Sequence, residues 1–392
     1  MRILIIVENL PVPFDRRVWL EATTLVAAGH QVCVISPTGP GYEARYEVID
    51  GIHVYRHPLP VEADGPAGYV VEYSAALFWE TLLAWRVFFR HGIDVIHACN
   101  PPDTIFLVAA PFKLLGRKFI FDHHDVNPEL FESKFGRRGL LYRLVRGLER
   151  ATFACANLSI ATNESYRRIA IERGKMAPDR VYVVRSGPDV ARMRAVEPDP
   201  AWRQGRRFLV GYVGVMGVQE GLDLLLDAVR WLVHEARRDD VHFVLVGGGT
   251  ELDKLRDMAA SLGVADHVTF TGRVSDAVLL SALNSADVCV NPDRVNPLNN
   301  ISTMNKIMEY MALGKPIVQF ESIEGRYSAQ GASLYAAAND GVDLARKLLE
   351  LLDDPARRAS MGELGRRRVV EELGWEHQGP RLLAAYDRLQ SI

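Results

Sequence analysis

The chain has 392 residues, of which 48% are hydrophobic and 24% charged. That length exceeds one ordinary domain of roughly 100–200 residues and suits two. Its 46 basic and 49 acidic side chains leave a net charge near -3, which makes no case for nucleic acid as a partner. Cys33, Cys99, Cys155 and Cys289 are far apart and form no CxxC pair. Such spacing argues against a structural zinc site or a disulfide framework and fits a reducing compartment. No apolar run approaches the ~18 residues of a membrane-spanning helix. The best candidate, 75–89, is broken by Glu80 and Arg86. The opening run 1–7 ends at Glu8 and reads as a first strand, not a signal peptide. The expected location is the cytoplasm, including the inner face of the plasma membrane.

Short β-rich runs at 3–7, 31–36, 94–98, 119–122, 158–161 and 181–184 come first. A helical segment at 17–28 stops at Gly29. The stretch 187–206 carries Pro188, Pro198 and Pro200 and reads as a linker. The pattern then restarts, with strand runs at 208–213, 242–246, 267–270, 288–291 and 316–319. A helix at 221–236 places Leu222, Leu225, Leu226 and Val229 on one face. Strands alternating with helices predict α/β architecture: parallel sheets wrapped by helices, in two doubly wound lobes with a cleft between them. Ligands of such sheets bind at the carboxyl ends of the strands.

The segment 299–318 carries the most chemistry. Ser302 or Thr303 can cap a helix whose apolar positions are Met304, Ile307, Met308 and Met311. Gly314 stops it. Asn305, Lys306 and Glu309 share its polar face. A helix N-terminus suits a phosphate, Lys306 would add charge there, and Glu309 can accept two hydrogen bonds from a ribose diol. The competing reading is a solvated helix face.

Here the sequence resembles a known family. The run from Met304 through Glu309 to Gly314-Lys315-Pro316-Ile317-Val318 is similar to the donor-site helix of retaining GT-B glycosyltransferases of family 4. Further matches follow in order: Asp15-Arg16-Arg17, Asn100-Pro101-Pro102-Asp103, Phe121-Asp122-His123-His124-Asp125, Gly211-Tyr212-Val213-Gly214, Glu220-Gly221-Leu222-Asp223, Gly247-Gly248-Gly249 and Thr271-Gly272-Arg273-Val274. The resemblance implies a GT-B fold of two Rossmann-like lobes facing a central cleft. Residues 1–190 would bind the acceptor, with a C-terminal helix at about 376–392 packed back on them, and 191–375 would bind the donor. It implies transfer from a UDP- or GDP-sugar to a glycan or lipid-linked acceptor with retention, in cell-surface polysaccharide synthesis. No cofactor and no metal are implied.

Carried onto this chain, His124, Lys306 and Glu309 are the catalytic candidates. Gly214, Arg273, Val274, Ser302, Thr303, Met304, Asn305, Lys306 and Glu309 would bind the donor. Asp15, Arg16, Arg17 and Asp125 would meet the acceptor, although the first three also serve a plain helix start. Three positions depart from the family pattern. Ile301 stands where the first carboxylate of a pair is usual, so Asn299 or Asn300 would have to supply its contact. Val215 and Glu220 stand where an Arg and a Lys are usual, which shifts diphosphate neutralisation to Lys306 and backbone amides.

His123 and His124 end a strand, where neighbouring side chains point to opposite faces, so one metal ion held by both is not expected. His124 faces the cleft in this reading, oriented by Asp125 or Glu129; the alternative is a histidine satisfied by backbone. The segment 134–150 carries Lys134, Arg137, Arg138, Arg143, Arg146 and Arg150 against Glu149 alone. It reads either as a core helix with a basic face or as a site for anionic lipid. Two other functions remain open at this stage. A nicotinamide-dependent oxidoreductase would place GxGxxG after the first strand, where Glu8-Asn9-Leu10-Pro11 stands. A non-catalytic two-lobed sugar-binding protein would bind sugar without nucleotide.

Overall fold

The computed structural model describes residues 1–59, 65–136 and 138–392. The chain forms two compact units, Met1–Ser186 with Gln378–Ile392, and Gly187–His377. In the first, the elements are β1 (Arg2–Ile6), α1 (Arg16–Ala27), β2 (Gln31–Pro37), β3 (Tyr46–Ile49), β4 (Ile52–His57), α2 (Gly65–His91), β5 (Val95–Cys99), α3 (Phe106–Leu114), β6 (Lys118–His123), α4 (Asn127–Phe135), α5 (Leu140–Cys155), β7 (Leu158–Ala161), α6 (Glu164–Glu172) and β8 (Val181–Val183). They build one eight-stranded sheet in the order β3-β4-β2-β1-β5-β6-β7-β8. Only β3 runs antiparallel to its neighbour. Ile3 to Ile6, Val32 to Ile35 and Phe119 to Phe121 are almost wholly buried. Continuous apolar runs of this kind suit strands covered on both faces.

The β3–β4 hairpin was not expected. Its turn is Asp50-Gly51, both with positive φ (50° and 81°), the conformation a two-residue hairpin needs. The chain after β3 and β4 continues the expected strand–helix alternation.

The second unit holds β9 (Phe208–Val213), α7 (Leu222–Arg230), β10 (Val241–Val246), α8 (Leu252–Ser261), β11 (Val268–Gly272), α9 (Asp276–Ser285), β12 (Val288–Asn291), α10 (Asn305–Ala312), β13 (Ile317–Phe320), α11 (Ile323–Ala329), β14 (Ser333–Ala336), α12 (Gly341–Leu352) and α13 (Pro355–Arg368). Its six parallel strands run β11-β10-β9-β12-β13-β14. That order reverses between β9 and β12, the topological switch where such sheets take ligands. The long helix expected at 221–236 is α7 followed by one wide turn, in which Ala236 N donates to Trp231 O (2.9 Å). The expected linker is packed, not free: Trp202 Nε1 donates to Ser281 Oγ (3.0 Å) and Arg203 pairs with Asp287 (2.6 Å).

The last helix, α14 (Trp375–Gln390), begins in the second unit and ends in the first. In the first unit Tyr386 OH lies 2.8 Å from His97 Nδ1, and Lys118 Nζ donates to Ile392 O (2.8 Å). No described helix is long and apolar enough to cross a membrane.

Candidate functional site

Each unit gathers polar residues at the carboxyl ends of its strands. In the first unit β6 ends at His123, and the alternation of the strand separates the two histidines. His123 is fully buried among Phe121, Phe153 and Tyr166, and burial drives its pKa down to about 3. His124 points the other way. Its Nε2 lies 2.5 Å from Asp122 Oδ2 and 2.8 Å from Arg17 Nε. A protonated Nε2 donates to Asp122; an unprotonated one accepts from Arg17. The partner of His124 is therefore Asp122, not Asp125 or Glu129. Glu129 is held by Arg173 (2.6 Å), and Asp125 sits in a turn clamped by Asn100. Asn100 Oδ1 accepts from His124 N (2.7 Å) and Asp125 N (3.1 Å), and its Nδ2 donates to Asp125 O (2.6 Å).

Arg17 was expected on an acceptor. It is instead buried, bound to Asp122 (2.9 Å), Glu21 (3.1 Å), Val184 O (2.8 Å) and Ser186 Oγ (3.2 Å). Burial alone would raise the Asp122 carboxyl, but Arg17 and His124 outweigh it and hold it well below the carboxylate range. Burial and the neighbouring Asp122 push Glu21 up, so the pair divides into one anion and one neutral acid. Asp15 caps α1, accepting from Val18 N (3.0 Å), while Arg16 is exposed. Donor atoms of His97, Cys99 and Asp122, and of Glu21, Asp122 and His124, lie within 4.8 Å of one another. Both sets share Asp122, where the guanidinium of Arg17 already supplies the cation.

In the second unit three glycine-bearing loops close on each other behind β9, β10 and β11. Gly214 N donates to Val246 O, Met216 N to Gly248 O and Gly247 N to Gly272 O, each at 3.0 Å. A side chain at Gly214 would run into the Tyr212 hydroxyl and sit 3.2 Å from Lys306 Nζ. Gly247, at φ 130°, has its Cα against the Gly214 carbonyl. Only glycine fits such backbone approaches.

The helix α10 starts one to two residues later than Ser302 or Thr303 would cap it. Met304 is its N-cap residue and no side chain caps it; the Ser302 hydroxyl donates to Leu298 O (2.9 Å). Ile307, Met308, Tyr310 and Met311 are buried, and Asn305 stays exposed. Lys306 does not stand free at the helix start. Its Nζ donates to Glu220 Oε2 (2.6 Å) and Asp293 Oδ1 (2.7 Å) and lies 4.9 Å from the Tyr212 ring centre. Burial would lower the lysine, but Asp293, Tyr212 and Glu220 hold it well above its usual value. Burial raises Asp293 to about 7. For Glu220 the lysine outweighs burial and lowers the carboxyl. Glu220 is thus a partner of Lys306, which is how the chain accommodates an acid where the resemblance implies a Lys.

Glu309 is half-buried and 3.6 Å from Arg192, which also grips Asp276 (2.8 Å). Arg273 is exposed, its stem beside Gly248, and Val274 packs on the core. Both asparagines offered as stand-ins for the carboxylate missing at Ile301 make hydrogen bonds within the unit. Asn299 donates to Gln219 O (3.0 Å) and Arg294 O (2.9 Å), and Asn300 Oδ1 accepts from Ile323 N (3.0 Å). Sequence reasoning missed the roles of Asp122, Asp293 and Arg192. For Asp122 a signal existed: residues two apart in extended chain share a face, which favours Asp122 beside His124 just past the end of β6.

Residues 15–192 match the family described as Glycosyltransferase Family 4, and residues 207–354 match Glycosyl transferases group 1. The GDP-mannose-dependent alpha-(1-6)-phosphatidylinositol monomannoside mannosyltransferase of Mycolicibacterium smegmatis is 30% identical over 377 residues, covering 90% of this chain and 89% of that one. The chain belongs to glycosyltransferase family 4. As a member it is an enzyme, a nucleotide-sugar glycosyltransferase. Its fold is GT-B. Sucrose-phosphate synthase from Thermosynechococcus elongatus superposes with a TM-score of 0.80 at 18% identity, over 100% of this chain and 99% of that one. HepE of Anabaena in complex with UDP-glucose gives 0.73 at 16% identity, over the whole of both chains. The family places this chain outside the oxidoreductase and sugar-binding readings.

Proposed function

We propose that this family 4 glycosyltransferase moves a hexose from a UDP- or GDP-sugar, held by its second unit, to a hydroxyl of a lipid-linked glycan acceptor held by its first. The observation that carries the donor assignment is the α10 start beside three interlocked glycine loops at the β9–β12 switch. Backbone N–H groups and the helix dipole there suit a diphosphate. Glu309, one turn into α10 and half-exposed, would hold the ribose hydroxyls. The Arg273-Val274 segment would border the base, and Gly214 with residues 302–305 would line the diphosphate and sugar.

In the chemistry, negative charge grows on the leaving phosphate, so fixed donors aimed at it lower the barrier. The leaving phosphate takes the acceptor proton, and the sugar keeps its configuration. Within the first unit, Asp122 and Arg17 fix the orientation of the His124 ring. No metal takes part in this reading; at both clusters with ligand-like spacing among the described residues the guanidinium of Arg17 already faces Asp122.

The acceptor class follows from relatives such as the mycolicibacterial enzyme, whose name specifies a phosphatidylinositol mannoside. The surface of α5 agrees. Leu140, Leu141 and Leu144 are 83%, 53% and 56% exposed, and Arg143, Arg146 and Arg150 are exposed on the same helix. An exposed apolar face on a basic helix suits the inner face of a membrane carrying anionic lipid. Arg137 of this basic run lies outside the described residues. The pathway is cell-surface glycan assembly.

Thermal unfolding with UDP, GDP, ADP, NAD and free sugars tests the donor assignment. UDP or GDP is expected to stabilise the protein, by roughly 2.7 kcal/mol at a hundredfold excess over its dissociation constant. Glu309→Ala should weaken that response. Stabilisation by NAD alone, or by none of the panel, would remove the donor assignment. Co-sedimentation with vesicles tests the membrane contact: binding should rise with anionic lipid content and fall in an Arg143→Glu, Arg146→Glu variant, and equal binding to neutral vesicles would end that part of the reading.

A further inference from the structure

The second unit opens at Gly187, and its first residues are held by a local turn. Asp189 Oδ1 accepts from Ala191 N (2.9 Å) and Arg192 N (3.3 Å), as an aspartate does when it bonds its own backbone two residues on. The Asp189 carbonyl accepts from Met193 N (2.9 Å). Met193 is buried in the same core cluster as Leu280 of α9 and Ile307 of α10, and Val190 packs against that cluster. The backbone of Arg192 is thus fixed from both sides. Its side chain reaches the first turn of α9 and the second turn of α10.

The guanidinium divides between two acids unequally. Nε and Nη2 each donate to Asp276 at 2.8 Å, the two-pronged pairing that sets the plane of an arginine. Nη1 then lies 3.6 Å from Glu309 Oε1, an ion-pair distance that is too long for a hydrogen bond. Asp276 therefore orients the arginine, and the arginine faces Glu309. Asp276 stands two residues after Val274, and Gly272 on the other side of that segment accepts from Gly247 N (3.0 Å). One cation joins the segment proposed to border the base to the acid proposed to hold the ribose. A carboxylate has about four lone-pair positions, so one arginine leaves it able to accept from two hydroxyls. Arg192 and Asp276 are 22% and 46% exposed, a setting in which an ion pair adds little to folding. Fixing a flexible acid before the ligand arrives does add to binding, because less freedom is lost on association.

We infer that Arg192 is a positioning residue for the nucleoside end of the donor site: anchored on Asp276, it holds the Glu309 carboxylate in place for the ribose hydroxyls. The inference rests on the donor assignment and deepens it, by naming what orients the ribose acid. Arg192 itself touches no atom of the donor in this arrangement; it acts through Glu309.

Titration calorimetry on the full chain tests this with UDP, GDP and their 2′,3′-dideoxy analogues. The nucleotide that binds the wild type should bind at least about tenfold tighter than its dideoxy analogue, the scale for hydrogen bonds to a charged group. Arg192→Gln should weaken the ribose nucleotide by about tenfold and leave the dideoxy analogue nearly unchanged. Asp276→Asn alters a half-exposed side chain and should weaken the ribose nucleotide selectively too, by less. In a Glu309→Gln background, Arg192→Gln should add little, since residues acting through one contact are not additive. Equal weakening of the dideoxy analogue would put Arg192 on the diphosphate or in the general support of the fold, and overturns the inference. Tighter binding of the ribose nucleotide in Arg192→Gln also overturns it, because the arginine would then compete with the ribose for Glu309. If Arg192→Gln does not fold, Asp276→Asn carries the same comparison, and no selective loss there overturns the inference. Failure of the donor assignment reads differently: neither UDP nor GDP would bind the wild type, and both readings fall. Binding that Glu309→Ala weakens and Arg192→Gln does not would leave the donor assignment standing and sink this inference alone.

Discussion

Arg17→Ala is expected to destabilise the protein by about 3–5 kcal/mol at pH 7, the scale for removing one member of a buried ion pair. The reason is the company Arg17 keeps. Asp122 and Glu21 are wholly inaccessible, and Arg17 is 2.9 and 3.1 Å from them. Without it, Asp122 would be a buried anion facing only the imidazoles of His97 (3.3 Å) and His124 (2.5 Å). The sign of the pH dependence follows. In the wild type the folded pKa of Asp122 is depressed by Arg17 and His124 against its burial. Its contribution is therefore present above the unfolded value of ~3.9 and is lost as pH falls through the folded value. In the variant burial wins and the carboxyl is raised. Its contribution is then fully present below ~3.9 and lost as pH rises. The gap between wild type and variant should accordingly be small near pH 4 and full by pH 7. Urea unfolding across that range measures it. Arg17→Ala with Asp122→Asn should recover much of the loss at pH 7, because no anion is left behind. A gap that stays constant with pH would mean that Arg17 acts through packing alone.

The same comparison shows what the sequence could disclose. α10 was legible because its information is local: Met304, Ile307, Met308 and Met311 repeat at helical spacing, and Gly314 ends it. β7, β9 and β12 were legible as short apolar runs between turn residues, which is what a strand buried on both faces looks like. The β3–β4 hairpin was missed although Asp50-Gly51 announces it, because its strands lie at the sheet edge and are interrupted by charge. Partners fixed by tertiary distance were not legible. Lys306 meets Glu220 from 86 residues away, and Arg17 meets Asp122 from 105. Motif spacing singled out candidate side chains but not which of them already neutralise each other. Burial is the second blind spot. A leucine stripe on α5 looks the same in a sequence whether it faces a core or solvent.

Lys306→Met should have the second large effect, and its consequences separate stability from donor binding. The lysine is 10% exposed and bound to Glu220 and Asp293. Its removal leaves two acids in contact with no cation, with a cost of about 3–5 kcal/mol at pH 8. Part of that cost should vanish by pH 6. Burial holds Asp293 near 7 even in the wild type. A carboxyl raised in this way contributes stability that is complete below its unfolded value and is lost as pH rises through the folded one. A neutral Asp293 therefore relieves the orphaned site. For the donor, the two acids compete with a diphosphate for the same ammonium. Glu220→Gln removes one competitor and is expected to tighten UDP or GDP by about tenfold, on the scale of 1.4 kcal/mol for a charge-assisted hydrogen bond. In the wild type the same competition should make nucleotide binding stronger at pH 6 than at pH 8, as Asp293 takes up a proton and Lys306 is released toward the phosphate. Calorimetric titration of Glu220→Gln and wild type at both values measures this. Weaker nucleotide binding in Glu220→Gln would show that the acid supports the loop and does not hold the lysine back. Glu220 would then be a structural replacement for the Lys that the resemblance implies and not a brake on Lys306.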